Sequence, residues 1–218
     1  MTKTTDPLKK RSKAHIRYKL ADGTQVPGTT TVLGVLAKPA LIHWAWDLGM
    51  QGLDYRTYRD AAANIGTLAH HLVQCDLSGA TPDVSSYCAD DQDKAENALL
   101  KWYEWRKART IEPILVETPL VSEEYRFGGT IDCYGLVDGV PTLLDLKTGR
   151  AVYPEHLTQV AAYRLLLQEH GHEVQRARIL NIGRTESEAF VDHAITDFSA
   201  HEEMFKHCLA VYRLQKGG

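Results

Sequence analysis

The stretch GGTIDCYGLVDGVPTLLDLKTG, residues 128 to 149, constrains the fold more than any other part of the chain. Two apolar runs meet at Asp138-Gly139, a dipeptide suited to a two-residue hairpin turn. That turn pairs Val137 with Val140, which sets Asp132 opposite Asp145 and Lys147 opposite Thr130. Opposed residues share a face, and same-face residues on one strand are two apart. Asp132, Asp145 and Lys147 therefore project from one face, with the two carboxylates roughly 5 Å apart at Cβ. A four-residue loop preserves this register and a three-residue loop breaks it.

Like charges directly opposed destabilise a sheet, and acids placed beside Leu143, Leu144 and Leu146 lose hydration. Either they lie at a solvated edge or something positive sits between them. Lys147 alone, as a structural ion-pair partner, is one account. A divalent cation is the other, because hard carboxylate oxygens at this spacing suit Mg²⁺ or Mn²⁺. With Glu123-Glu124 as the preceding turn, Glu117 pairs with Thr130 and joins the same side as Asp132, although Pro119 interrupts that strand.

The remaining chain supports a single α/β domain. Its 218 residues suffice for one sizeable core, and no apolar run approaches the roughly 20 residues of a membrane span. The first 19 residues lack the apolar centre of a signal peptide. Cys75, Cys88, Cys133 and Cys208 contain no C-x-x-C pair, which argues against a zinc ribbon or a disulfide framework. A reduced, cytoplasmic protein is expected. The net charge of −3 argues mildly against nucleic-acid binding, yet residues 9–19 hold six Lys or Arg and no acid. That run reads either as a solvated tail or as an arm that follows phosphates.

Periodicity and turn signals predict a hairpin over 15–27 with its turn at Asp22-Gly23. Thr30 or Thr31 caps a short helix ending near Lys38-Pro39, and a second helix runs through Trp44 and Trp46. Further helices are expected over 60–78, closed by Gly79, and over 91–110. Strands follow over 112–121, 125–137 and 141–149, then a helix from Pro154 to Gly171, strands over 176–184 and 188–195, and a last helix over 198–215. Helices, a meander, a helix, strands and a helix make one mixed domain.

An Asp on one strand and Asp-x-Lys on the next resembles the PD-(D/E)xK nuclease signature. Gln159-x-x-x-Tyr163 on the following helix and GTLAH, Gly66 to His70, upstream of the strands resemble two further motifs of the RecB-like exonuclease branch. D-x-K alone occurs by chance in many chains, whereas four elements in order over residues 66 to 163 are specific. The lead-in DGTQVPGTTTVL…HWAW is similar to that of phage-encoded and mitochondrial members. The resemblance implies a restriction-endonuclease-like core, a mixed central sheet flanked by helices, with a helical N-terminal region. It implies one nuclease domain over 1–218, with an arm and helical region over 1–60 and the nuclease core over 61–218.

The same resemblance implies metal-dependent phosphodiester hydrolysis on DNA, single-stranded or at duplex ends, with Mg²⁺ or Mn²⁺ as cofactor. Asp132 and Asp145 would be carboxylate ligands, His70 a nitrogen ligand and the Leu146 carbonyl a further oxygen. Lys147 would stabilise charge developing on the phosphate, and Glu117 would hold a second metal or its water shell. Gln159 and Tyr163, one helical turn apart, would place the DNA and the lysine. His70 and His71 are adjacent, so only one can face the metal, and the motif spacing selects His70. Some members of this branch bind an iron–sulfur cluster through a C-terminal cysteine group. Only Cys208 follows Cys133, so no iron–sulfur cluster is expected here.

Trp44, Trp46, Tyr55 and Tyr58 read either as core or as platforms for unpaired bases. Trp102 and Trp105 read as core. Arg126, Arg150 and Arg184 flank strand ends, as phosphate contacts or as surface charges. The branch resemblance favours an exonuclease in recombination, repair or phage DNA processing, with no membrane association and with a recombination or replication protein as a further partner class. A structure-specific or restriction-type endonuclease is the first rival, and a non-catalytic DNA-binding module with a vestigial site is the second. Oligomeric state is not legible.

Overall fold

A computed structural model describes residues 16–217. Residues 9–15 of the basic run lie outside the described residues. The chain enters through a small antiparallel hairpin, β1 (Tyr18–Lys19) and β2 (Gln25–Val26). Its turn is where the sequence places it, with Gly23 at φ +86° and Thr24 N–H bonded to the Asp22 carboxylate. Helices α1 (Thr29–Leu33), α2 (Pro39–Met50), α3 (Tyr55–Ser78) and α4 (Ala89–Arg106) follow.

Several helix boundaries differ from the reading of the sequence; α4 stops at Arg106, four residues short of Thr110, whose N–H bonds the Asp138 carboxylate as the chain enters the strand that begins at Ile111. Gly28, not Thr30 or Thr31, is the N-cap of α1, and the helix ends at Leu33, before Lys38-Pro39. Pro39 instead opens α2, where its missing N–H costs nothing. Helix α3 begins five residues before position 60, because the Asp54 carboxylate accepts the Arg56 N–H and caps it there.

The five-stranded sheet has the order β3 (Ile111–Ser122), β4 (Phe127–Val137), β5 (Val140–Lys147), β6 (Arg176–Asn181), β7 (Val191–Ile195). The first three form the expected antiparallel meander. Helix α5 (Pro154–Glu169) then crosses over and returns the chain as β6, parallel to β5; β7 is antiparallel again. Helix α6 (Ser199–Lys216) closes the domain. This is the mixed sheet flanked by helices that the sequence leads one to expect.

The sheet separates two apolar clusters. On one side α1, α5 and α6 contribute Val32, Val160, Leu166 and Phe205, which pack with Phe127, Ile131, Leu143 and Ile179. On the other, α3 and α4 contribute Leu68, Val73, Trp102 and Trp105, which pack with Cys133, Val137, Leu144 and Leu180. Trp102 and Trp105 are core as expected, stacked with ring centroids 5.3 Å apart. Among the described residues no helix is long and apolar enough to cross a membrane.

Strict alternation fails at two places in the β3–β4 pair: one is a register shift between Pro113 and Leu115, and the other lies in β4. Ile131 belongs to the first cluster and Cys133 to the second, although residues two apart on a regular strand share a face. The switch falls at Asp132. Across the ladder, Thr118 pairs with Ile131 and Val116 with Cys133, so Glu117 is the residue facing Asp132, and its φ is +44°. The expected pairing of Glu117 with Thr130 is therefore corrected. The turn takes four residues, 123–126, and Thr130 pairs with Pro119.

Two outcomes follow from burial. Cys88 is exposed while Cys75, Cys133 and Cys208 are buried, and burial pushes the Cys133 thiol up to about 12. Titration of the native protein with a thiol reagent is expected to give one fast equivalent, rising to four on denaturation. The second outcome concerns the start of α5, where His156 Nδ1 accepts the Tyr153 N–H at 3.2 Å, which requires a neutral ring. Burial first, then the Lys147 cation, push His156 down to about 4, with Glu155 opposing and Lys38 assisting. A lowered folded pKa contributes stability that is full above about 6.5 and is lost as pH falls toward 4. His156→Gln keeps a side-chain acceptor at the same helical position. Urea midpoints measured at pH 7 and pH 4.5 should drop further for wild type than for this variant.

Candidate active site

Strand β5 is the hub. It lies between β4 and β6, and Asp145 near its end is 1% exposed. The hairpin register is the one read from Asp138-Gly139: Val137 pairs with Val140 and Cys133 with Leu144. The ladder stops there, one step short of the two acids. Beyond it the Asp132 carboxylate turns to accept the Leu146 N–H, with Oδ2 at 2.8 Å.

The motif residues converge on this point from three elements. From α3, His70 Nδ1 lies 3.5 Å from Asp132 Oδ1. Its neighbour His71 instead contacts the Cys75 sulfur at 3.7 Å on the same helix. From β5, Lys147 Nζ lies 2.5 Å from Asp145 Oδ2 and 3.4 Å from the Leu146 carbonyl. Lys147 thus holds Asp145 Oδ2 as a close ion pair, while Asp145 Oδ1 is buried without a hydrogen-bond partner among the described residues. From α5, the Gln159 amide donates to the Tyr163 hydroxyl at 2.8 Å.

Glycines permit this approach of layers. A Cβ on Gly66 would meet Thr148 Oγ1 at 2.9 Å, so the glycine of GTLAH lets α3 pass the end of β5. A Cβ on Gly129 would lie 2.6 Å from the Tyr163 ring and 3.0 Å from Thr29 Oγ1. The GG pair at the start of β4 thus leaves room for two tyrosines, Gly128 for Tyr18 and Gly129 for Tyr163.

Electrostatics divide the two carboxylates. Burial pushes Asp145 up to about 6, with Asp132 adding to the effect and Lys147 opposing it. Burial also acts to raise Asp132, but His70, Lys147 and the Leu146 N–H outweigh it and hold that group below the ordinary range. Burial acts to lower His70, and the Asp132 carboxylate outweighs it, so His70 is raised. Tyr163 is driven well above its usual value by burial and then by Asp145 and Asp132, so it stays a phenol.

Among the described residues no group of three or more His, Cys, Asp or Glu side chains forms a ready metal cage. His70 with Asp132 and Asp145 with Lys147 stand as two adjoining pairs. The chemistry of the donors nevertheless suits a hard divalent ion: two carboxylates, an imidazole nitrogen and a backbone carbonyl, with the buried Asp145 Oδ1 lacking a hydrogen bond among the described residues.

The outer candidates separate. Trp44 and Tyr55 pack edge to face with centroids 6.5 Å apart, whereas Trp46 and Tyr58 are exposed on α2 and α3. Arg184 is taken by Glu188, through a 3.5 Å ion pair and a backbone hydrogen bond, while Arg126 and Arg150 are exposed. Two neighbours of the cluster were not anticipated. Tyr18 bonds Thr130 through its hydroxyl at 2.9 Å, and Asn181 pairs with Lys147 across β5 and β6. Asn181 had a legible signal, being a polar residue directly after the apolar pair Ile179-Leu180 at the end of the strand.

A family model described as the PD-(D/E)XK nuclease superfamily matches residues 42–216. No curated protein matches the chain. Among solved structures, "Crystal Structure of LHK-Exo in complex with dAMP" is similar at 14% identity and a TM-score of 0.39, over 71% of this chain and 84% of that one. "Crystal structure of SSO0001" is similar at 13% identity and a TM-score of 0.30, over 54% of this chain and 59% of that one. The family model spans most of the chain, and it takes in every residue of the converging cluster: the protein belongs to the PD-(D/E)XK nuclease superfamily.

Proposed function

We propose that this protein is a deoxyribonuclease that depends on Mg²⁺ or Mn²⁺ and works from DNA ends or on single strands, as an exonuclease. The observation that carries the reading is the buried Asp145 carboxylate, whose Oδ1 has no hydrogen-bond partner among the described residues and whose Oδ2 is held by Lys147, set beside Asp132 and His70. The preference for exonuclease rests on the motif set of the RecB-like branch, Gly66-x-x-x-His70 and Gln159-x-x-x-Tyr163. Residues 61–218 are proposed as the nuclease core and 1–60 as its arm and helical region. No iron–sulfur cluster is proposed.

Asp132, Asp145, His70 and the Leu146 carbonyl would hold the divalent ion, with Glu117, facing Asp132, as a carboxylate for a second ion or its water shell. When bound, such an ion supplies Lewis-acid polarisation of the phosphate and a water of lowered pKa. In hydrolysis a water oxygen adds to phosphorus, the bond from phosphorus to the leaving sugar oxygen breaks, and that oxygen takes a proton. Lys147 places an ammonium where negative charge grows on the phosphate oxygens. Tyr163, kept protonated and fixed by Gln159, offers a hydroxyl on the helix face toward the two acids. A wet, mobile lysine would do less, because an ammonium held at low local dielectric needs no reorganisation at the moment of reaction.

The test is an end-labelled linear single-stranded DNA incubated with Mg²⁺, Mn²⁺ or chelator, beside Asp145→Ala. Metal-dependent loss of label in wild type, absent in the variant, is the expected result, and the first label to leave gives the polarity. Cleavage of a covalently closed circle would turn the reading to an endonuclease. Equal inertness of wild type and Asp145→Ala on single-stranded, duplex and flapped DNA would overturn the enzyme reading. For Lys147→Ala, single-turnover rates are expected to fall by roughly 10²–10³, the range usual for loss of one positioned electrostatic group.

A further inference from the structure

Asn181 is the last residue of β6 and is completely buried. Neither its amide oxygen nor its amide nitrogen has a hydrogen-bond partner among the described residues. Leaving such a group buried and unpaired costs on the order of 1–3 kcal/mol, so its presence asks for a use. Its place in the sheet supplies one. In the parallel ladder Asn181 is the Cα partner of Lys147, as Ile179 is of Asp145. Paired residues share a face, so Asn181 lies on the face of Asp145 and Lys147, one inter-strand spacing of about 4.8 Å from the lysine backbone.

We propose that Asn181 is a positioning residue for Lys147. Its amide oxygen receives the Lys147 ammonium when Asp145 is no longer available to it. In the structure Lys147 sits on Asp145 at 2.5 Å. The inference rests on the nuclease reading, in which Asp145 gives its oxygens to a divalent ion. Of its contacts among the described residues the ammonium then keeps the 3.4 Å approach to the Leu146 carbonyl, and the buried, unpaired Asn181 amide on the same face is one strand away. DNA is not the direct partner of Asn181, because a residue with no exposed surface cannot touch a phosphate. Its effect on the substrate passes through the lysine.

Two experiments test this, and only one of them depends on activity. The first is a crystal structure of Asp145→Ala, which removes the competing carboxylate without any metal. Lys147 Nζ is expected about 3 Å from Asn181 Oδ1. An ammonium turned to solvent, or an Asn181 amide closed off by water alone, overturns the proposal. The second compares wild type, Asn181→Leu and Asn181→Asp. Leucine keeps the shape and removes an unpaired amide, so the melting temperature should hold or rise. Under the proposal Asn181→Leu lowers kcat at least tenfold with KM for DNA unchanged, and Asn181→Asp, which keeps an acceptor oxygen, restores most of it. A purely structural asparagine would instead lower the melting temperature and leave kcat alone. Wild-type activity matched by Asn181→Leu overturns this proposal and spares the nuclease reading. An inert wild type removes the nuclease reading, and the Asp145→Ala structure still decides whether Asn181 takes the lysine.

Discussion

A carboxylate buried in the central strand, Asp145 on β5, is the constraint around which the other elements are placed. A surface ion pair is worth about 0–1 kcal/mol, and a buried one loses several kcal/mol of hydration per ion before any attraction is counted. The contact of Asp145 with Lys147 is thus a poor source of stability, and burial still pushes Asp145 up to about 6. Stability comes from the two apolar clusters on either side of the sheet, each built on fully buried side chains such as Phe205 and Trp102. An apolar residue at position 145 would suit those clusters as well or better. That the strand keeps an acid there, with Oδ1 left without a hydrogen bond among the described residues, separates what the site requires from what the fold requires.

The surrounding layers are held at the site by close approaches. Gly66 lets α3 run against Thr148, and Gly129 lets the Tyr163 ring lie over β4. The face switch at Asp132 and Glu117 belongs to the same set. By leaving regular alternation there, β4 brings the Asp132 carboxylate to the Leu146 N–H on one side and to His70 of α3 on the other. An Asp in a regular strand would face one helix layer only. Irregularities of this kind are favoured where a side chain must be re-aimed, and the φ of +44° at Glu117 marks the distortion on the partner strand.

Local rules made much of this legible. Asp138-Gly139 determines a hairpin register, and the register alone brings Asp132, Asp145 and Lys147 together. Helical spacing alone puts Gln159 and Tyr163 on one face, which their hydrogen bond confirms. Where competing local signals existed, the reading slipped. Glu123-Glu124 looks like a two-residue turn, but the connection uses Tyr125 and Arg126 as well, and Arg126 takes a positive φ of 52° to close it. Thr30 and Thr31 are better caps by type than Gly28, yet α1 starts at Thr29, whose hydroxyl is committed to the Gly128 carbonyl across the fold. Asn181 and His156 escaped for another reason. Asn181 meets Lys147 through a parallel crossover, which has no local sequence period, and His156, whose contact with the Tyr153 N–H is local, owes its lowered pKa to burial and to the charge of Lys147.

The crossover unit explains why so much of the chemistry sits in one contiguous segment. Strands β5 and β6 run parallel and end together, at Lys147 and Asn181, and α5 between them begins beside the same edge. In open α/β sheets the carboxyl ends of parallel strands are where loops diverge and leave a crevice. Asp145, Lys147, Gln159, Tyr163 and Asn181 all come from this β-α-β segment. His70 and Asp132 are brought in by α3 and β4. A substitution within the segment changes the site through local geometry, whereas His70 depends on the docking of α3, and hence on Gly66 and on the Leu68, Val73 and Trp102 cluster beneath it. Mutations at Leu68 or Val73 in that second core should therefore reach the site through the position of His70 and leave the geometry of Asp145, Lys147 and Asn181 intact.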